Sequence, residues 1–250
     1  MEITKIRILP NYRKPWALRL AKTLSLFLKR HNFAPAHKNV DATICIGGDG
    51  TIFYANHLSR IQGAVLGIGS KTSMVCQLRK DNWKKYLIKI LRSSIIEKRQ
   101  KLTVKIKTRI VSSINDVVVH THDYRVIRIF IEVNNKRYFF DGDGIIVSTP
   151  TGSTGYAYSA GGKILKTSAK KIQVIPICPY KRALKPIMVS DNVKISIFAD
   201  RSSDLIIDGI FIRRLRARQM INIERGRYLE FLKYPDPTKK LDRSIQNHMG

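Results

Sequence analysis

The residues best suited to chemistry fall in three short stretches. The first is Gly47-Gly48-Asp49-Gly50-Thr51. Glycines admit left-handed backbone and let a ligand come close to the main chain. A helix starting here would offer free N–H groups to phosphate. A carboxylate beside phosphate is electrostatically unfavourable, so Asp49 is read as a chemical group. It could accept a proton from an attacking hydroxyl, or hold a divalent metal that bridges phosphates. The stretch matches neither GxxxxGK[ST] nor GxGxxG. The plain alternative is a tight turn with a helix-capping Asp.

The second stretch runs from Asp141 through Asp143 and Tyr156 to Gly162. It carries six hydroxyl residues between Ser148 and Ser159, several glycines and one proline, and no charge after Asp143. Hydroxyls both donate and accept hydrogen bonds, and Tyr156 offers a flat face with a polar tip. This chemistry suits a sugar or a base better than an ion pair. The third stretch is Asn115-Asp116, which could hold ribose hydroxyls or an amide but is also a common turn pair. His57, His120 and His122 lack metal-ligand spacing and are read as structural.

These residues need elements to position them. Residues 3–9 read as a strand and 15–30 as a helix, with Trp16, Leu20, Leu24, Phe27 and Leu28 at helical spacing. Residues 42–46 form a short apolar strand feeding the first stretch, with a helix expected over 52–60. A strand at 63–68 and a helix at 82–92 follow. This alternation predicts an open, mostly parallel α/β sheet. From about residue 100 the pattern changes to strands: 101–110, 116–120, 125–133, 137–140, 144–148, 172–177, 186–189, 193–198, 205–207 and 211–216. Asn134-Asn135 marks a hairpin turn. The expected organisation is an α/β domain over 1–97 and a β-rich, sandwich-like domain over 98–228. A polar tail with Pro235 and Pro237 over 229–250 either packs back or frays.

The chain has 250 residues, 44% of them hydrophobic, which is enough to build cores and excludes a wholly disordered chain. No apolar run is long enough to cross a membrane, and the basic N-terminus lacks the apolar stretch of a signal peptide. The three cysteines, Cys45, Cys76 and Cys178, are widely spaced. They are read as small buried residues in a reducing cytoplasm rather than as disulfides or a zinc site. The 46 Lys and Arg against 18 Asp and Glu give a net charge of +28. Such a field draws polyanions, from nucleotides and polyphosphate to nucleic acid or an anionic membrane, or is simply a solvated surface.

Taken in order, GGDGT at 47–51, Asn115-Asp116 and GDGIIVSTPTGSTGYAYSAGG at 142–162 resemble the motifs of the NAD kinase family. PICP at 176–179 and Asp208-Gly209 fall where that family has similar segments. The resemblance implies an α/β domain carrying GGDGT and a β-sandwich-like domain carrying most NAD contacts. It implies phosphoryl transfer to the 2′-hydroxyl of the adenosine ribose of NAD. Asp49 would be the general base, and Gly47, Gly48, Gly50 and Thr51 the phosphate-donor loop. NAD would be bound by Asn115, Asp116, Asp143, Thr151, Thr154, Gly155, Tyr156 and Ser159. Mg²⁺, ATP or polyphosphate as donor, and a homo-oligomer are implied as well, with neither specific nucleic acid nor membrane as partner.

The pattern departs at Asp116 (Glu in the family), Gly155 (Ala) and Ile210 (Gln). It departs also at Gly69 and Lys71, in a segment resembling GIN-x-GxLGF. The alternatives are a kinase of the same superfold with a lipid or sugar acceptor, and a non-catalytic binder of nucleotides or nucleic acid. In the lipid kinases an Asn-Glu pair follows GGDGT almost at once, whereas here Ile52-Phe-Tyr-Ala55 follows.

Overall fold

The computed structural model describes residues 2–234; Pro235 and Pro237 lie outside the described residues. Two compact units divide the chain. One takes residues 2–98 and 230–234, the other Arg99–Leu229.

The first unit is built on a sheet whose strands run Ala34–Pro35, Lys5–Pro10, Ala42–Ile46, Ala64–Gly69, Leu229–Lys233 and Ile95–Arg99. The short strand Leu78–Arg79 also pairs with Ala64–Gly69. The pairings along Lys5–Pro10, Ala42–Ile46 and Ala64–Gly69 are parallel. Both central strands are buried along their whole length, as a sheet covered on two faces requires. The helix Pro15–Arg30 starts with proline in its first turn and buries Ala17, Leu24 and Leu28. The helix Trp83–Ser93 buries Trp83, Leu87, Ile90 and Leu91. These residues join Ile6, Ile44, Leu66 and Ile68 in one core. Part of the segment read as a tail is a strand here: Leu229–Lys233 lies between Ala64–Gly69 and Ile95–Arg99. Its sequence, LEFLK, buries Leu229, Phe231 and Leu232.

The second unit is a sandwich of two six-stranded sheets. One runs Lys136–Gly142, Ile127–Val133, Ile195–Ala199, Ile221–Arg225, Leu102–Ile106, Arg109–Ser113. The other runs Ile187–Ser190, Lys171–Ile177, Gly144–Ser148, Asp116–His120, Ser203–Ile207, Ile210–Leu215. Alternate residues of both sheets meet in one core, Val104, Ile129, Ile197 and Ile223 from the first, Val117, Val119, Ile145 and Val174 from the second. The single strand expected over 101–110 is a hairpin instead. Lys107 takes φ +50°, and the chain turns back into Arg109–Ser113. Asn134 and Asn135, at φ +48° and +63°, form the expected turn between Ile127–Val133 and Lys136–Gly142. Among the described residues, no helix is long and apolar enough to cross a membrane.

Candidate active site

In the first unit the chemistry gathers where parallel strands end, the usual place for ligands in open α/β sheets. Strand Ala42–Ile46 runs into Gly47 and Gly48, at φ +146° and +104°. A Cβ on Gly47 would run into Thr51 Oγ1 and Asn11 Cβ, so only glycine passes here. The helix then begins at Asp49, three residues earlier than its apolar pattern suggested, because Gly48 takes the capping position.

Asp49 does not cap this helix through its side chain. Its carboxylate instead ties down the loop after Ala64–Gly69. Oδ2 accepts the N–H of Met74 at 2.7 Å, and Oδ1 accepts those of Val75 and Cys76, each at 3.0 Å. Oδ2 carries one such bond and keeps a second lone pair for a ligand hydroxyl. Gly67 and Gly69 let this loop fold against its own strand. A Cβ on Gly69 would overlap Ser73, and one on Gly67 would lie 2.7 Å from Cys76 Sγ. Ser73 thus leaves no room for a side chain at Gly69. The Cys76 thiol is pushed up by burial and then by the Asp49 charge.

Two residues of this site escaped sequence reading. Lys14 Nζ donates to the Gly47 carbonyl at 2.6 Å, and the Asn11 N–H donates to the Ile46 carbonyl at 2.7 Å. Both sit in the turn after Lys5–Pro10, whose Pro10 is paired with Ile46. A second strand-to-helix turn holding an Asn and a Lys before Pro15 was the available signal.

In the second unit the turn at Asn115-Asp116 hangs on Asp208. The Asp208 carboxylate accepts Ser113 Oγ–H at 2.8 Å and the N–H groups of Ile114 (2.9 Å), Asn115 (2.7 Å) and Asp116 (3.2 Å). Asp208 itself sits at φ +52°. Asp116 is buried, and its carboxyl is pushed up to about 7, first by burial and then by the Asp208 charge.

The hydroxyl-rich loop folds over the outer face of the second sheet. Ala157, in the short helix Tyr156–Ser159, packs on Val118, Ile146 and Ile175. That contact explains why Asp116–His120 and Gly144–Ser148 are apolar without alternation. Gly152 lies so close to the Asn115 backbone that a Cβ there would overlap the Asn115 carbonyl.

The six hydroxyls divide by task. Thr149 Oγ1 donates to the Ile114 carbonyl at 2.6 Å, and Ser153 Oγ to the Pro150 carbonyl at 2.7 Å. Ser148 Oγ donates to the Thr149 carbonyl at 3.1 Å. These three hold the loop together. Thr154 and Ser159 are exposed, as are Gly155 and Tyr156. Thr151 Oγ1 and Asn115 Oδ1 are buried without a hydrogen-bond partner.

The Tyr156 phenol is pushed up by burial and then by the charges of Cys178, Asp116 and Asp143. Cys178, read as buried from its residue type, is exposed instead. Its thiol is pushed up chiefly by a hydrogen bond with Asp143. His120 and His122 bond backbone carbonyls of Thr121 and Ser202, as structural histidines do.

This fold has solved counterparts. An NAD kinase from Archaeoglobus fulgidus in complex with ATP aligns with a TM-score of 0.78 at 23% identity, over 93% of this chain and 94% of that one. Yeast NADH kinase complexed with NADH aligns with a TM-score of 0.80 at 17% identity, over 94% and 85%. At such identities the likeness establishes the two-unit fold. Residues 114–232 match the family model of the ATP-NAD kinase C-terminal domain. The NAD kinase of Lachnoclostridium phytofermentans is 33% identical over 209 residues, 76% of this chain and 73% of that protein. The NAD kinase of Fusobacterium nucleatum is 34% identical over 202 residues, 76% of each. The chain belongs to the NAD kinase family and is an enzyme of that class.

Proposed function

We propose that the chain phosphorylates NAD at the 2′-hydroxyl of the adenosine ribose to give NADP, with ATP or inorganic polyphosphate as donor. The observation that carries this reading is the pair of buried acceptors without partners, Asn115 Oδ1 and Thr151 Oγ1. A buried polar atom left unpaired costs about 1–3 kcal/mol. Adenine N–H and ribose O–H groups are donors that would relieve it. Asp116, Asp143, Tyr156 and the exposed Thr154, Gly155 and Ser159 complete an uncharged-ligand bed suited to a nucleoside.

Asp49 is the group that takes the proton of the attacking hydroxyl, on the free lone pair of Oδ2. The three loop amides hold that carboxylate in one orientation, which favours positioned proton transfer. The donor phosphates bind at Gly47, Gly48, Gly50 and Thr51, where the nine-residue helix Asp49–His57 begins. Lys14 supplies a positive charge beside them.

Among the described residues, no three His, Cys, Asp or Glu side chains gather as a metal cage. That fits Mg²⁺ arriving on the donor phosphates, since Mg²⁺ commonly uses one or two carboxylates plus substrate phosphates. When bound there it would neutralise phosphate charge, with Asp49 the carboxylate nearest at hand in sequence to that loop. The three free cysteines fit a reducing cytoplasm as the setting.

The test is to incubate the chain with NAD, Mg²⁺ and either ATP or polyphosphate, and to read NADP with an NADP-specific dehydrogenase. NADP from one or both donors is expected, and the comparison fixes the donor. Offering NADH in place of NAD separates the two acceptors. Folded protein that makes NADP from neither donor overturns the reading.

A further inference from the structure

Two helices of the first unit carry cations that helix stability does not explain. Pro15–Arg30 holds Arg19, Lys22, Lys29 and Arg30. Trp83–Ser93 holds Lys84, Lys85, Lys89 and Arg92. All of these side chains are exposed. Neither helix contains an acid, and Asp81, just before the second, is paired with Arg79 at 3.3 Å. Lys29, Arg30 and Arg92 stand in last turns, where the helix dipole favours a cation. The others are not favoured by it. Lys84 and Lys85 occupy the first turn of Trp83–Ser93, where the dipole opposes them. Lys85 and Lys89 are four residues apart, and Arg19 and Lys22 three, so like charges repel along each helix.

The two helices form one face. Phe27 of the first meets Trp83 of the second edge to face, with ring centroids 5.1 Å apart, and both bury their apolar side in the same core. Aromatic rings hold the lysines on this face. Lys84 Nζ lies 5.8 Å from the centroid of Trp83, Lys85 Nζ 5.3 Å from that of Tyr86, and Lys89 Nζ 5.0 Å from that of Tyr234. Such cation–π contacts restrict long side chains before a partner arrives, which lowers the entropy lost on binding.

A field of one sign matches a polymer that is charged at every repeat. Pro15–Arg30, at 16 residues, is about 24 Å long. A nucleic-acid duplex presents about one phosphate charge per 1.7 Å, so about 14 phosphates over that length. An anionic membrane fits less well. A helix lying in a bilayer surface buries an apolar side there, and these two have already buried theirs in the core. Among the described residues of the two helices, one large apolar side chain, Leu26, is exposed.

We propose that the outer face of Pro15–Arg30 and Trp83–Ser93 binds the phosphate backbone of nucleic acid without reading its sequence. The inference is independent of the reaction proposed above. The test is fluorescence anisotropy of the full chain with a labelled DNA duplex of about 20 base pairs, repeated across salt concentrations. The wild type should bind with a Kd of about 10⁻⁶ to 10⁻⁴ M at physiological salt, equally for unrelated sequences. If about five to eight phosphates are neutralised, log K should fall against log salt with a slope of about −4 to −7. Lys22→Gln/Lys85→Gln removes one contact from each helix. It should make that slope shallower by about 2 and weaken binding about tenfold, with an unchanged circular dichroism spectrum. Arg19→Gln/Arg92→Gln should do the same, and it keeps the test decisive if the first pair misfolds. Lys136→Gln/Lys194→Gln is the control: it removes the same charge from exposed positions of the sandwich, and affinity and slope should stay at the wild-type values.

A wild type that binds the duplex more weakly than about 10⁻⁴ M overturns the proposal. So does undiminished binding by both helix pairs while folded. Equal weakening by the sandwich pair would assign the binding to net charge alone and overturn it too, as would tighter binding to vesicles of phosphatidylserine and phosphatidylcholine than to the duplex.

Discussion

The Asp208 carboxylate accepts the backbone N–H of Asn115 at 2.7 Å, across 93 positions of sequence. One buried acid thus sets the path of the turn that presents Asn115 and Asp116. Its removal strands three donors, the N–H groups of 114, 115 and 116, while the Ser113 hydroxyl still has the Asp116 carbonyl at 2.9 Å. Asp208→Ala should lower stability by about 3 kcal/mol, partly offset because Asp116 loses a repelling neighbour. It should also raise the KM for NAD well above its effect on kcat. Urea midpoints and steady-state kinetics check this. A loss under about 0.5 kcal/mol would show that the network does not hold the turn.

Asp116 ties stability to pH. Its carboxyl is raised from 3.8 to about 7 in the folded chain. Between those values the folded state keeps a proton that the unfolded chain has released. The stability contributed by this group is therefore full below about pH 4 and is lost as pH rises through about 7. At about 1.4 kcal/mol per unit, the whole window is worth on the order of 4 kcal/mol. Asp116→Asn mimics the neutral form and should flatten this part of the profile. Urea unfolding of both proteins from about pH 4.5 to about pH 7.5 measures it. Parallel curves for the two proteins would refute the assignment.

Asp49→Asn should reduce kcat by about 10²- to 10⁴-fold, the range of one general base, with little change in the KM for NAD. A second effect follows from the loop amides. An amide side chain can present oxygen to Val75 and Cys76, but its NH₂ then faces the Met74 N–H, donor against donor. The loop should loosen, and trypsin should cut at Lys71 faster than in the wild type. Equal turnover would remove Asp49 from the mechanism; equal proteolysis would remove its hold on the loop.

Two glycines in one loop should respond in opposite ways. A Cβ at Gly152 overlaps the Asn115 carbonyl, whereas one at Gly155 meets only the Gly152 carbonyl at 3.5 Å. Gly152→Ala should cost stability in the range of overpacking, about 1–3 kcal/mol, and weaken NAD binding. Gly155→Ala, which restores the residue typical of the family, should fold normally and retain activity. Thermal melts and NAD titrations compare them. A Gly152→Ala protein as stable as the wild type would falsify the packing argument.

Much of this was legible in the residues, and the rest was hidden for physical reasons. Asp116–His120 and Gly144–Ser148 were readable because apolar runs between turn residues have few other uses. Helix Pro15–Arg30 declared itself by periodicity and by its proline. The hairpin at Lys107 was missed because Lys in left-handed backbone leaves no compositional mark, unlike Asn134-Asn135. The start of the helix at Asp49 was obscured by Gly50, a poor helix former inside its first turn. Asp208 was visible as half of an Asp-Gly pair, but its grip on 113–116 is a contact between distant strands that no local pattern encodes. The hydroxyls of 148–159 looked equivalent in sequence; only packing divides the three that brace the loop from those turned toward solvent.

The strand Leu229–Lys233 completes the first sheet from the far end of the chain, between strands laid down by residues 64–69 and 95–99. A growing chain on the ribosome therefore carries a gap in its opening unit throughout synthesis of the sandwich. The sandwich, whose strands all come from one continuous stretch, is free to close first. Chains cut short before Leu229 would leave the facing edges of Ala64–Gly69 and Ile95–Arg99 unpaired, open templates for another strand.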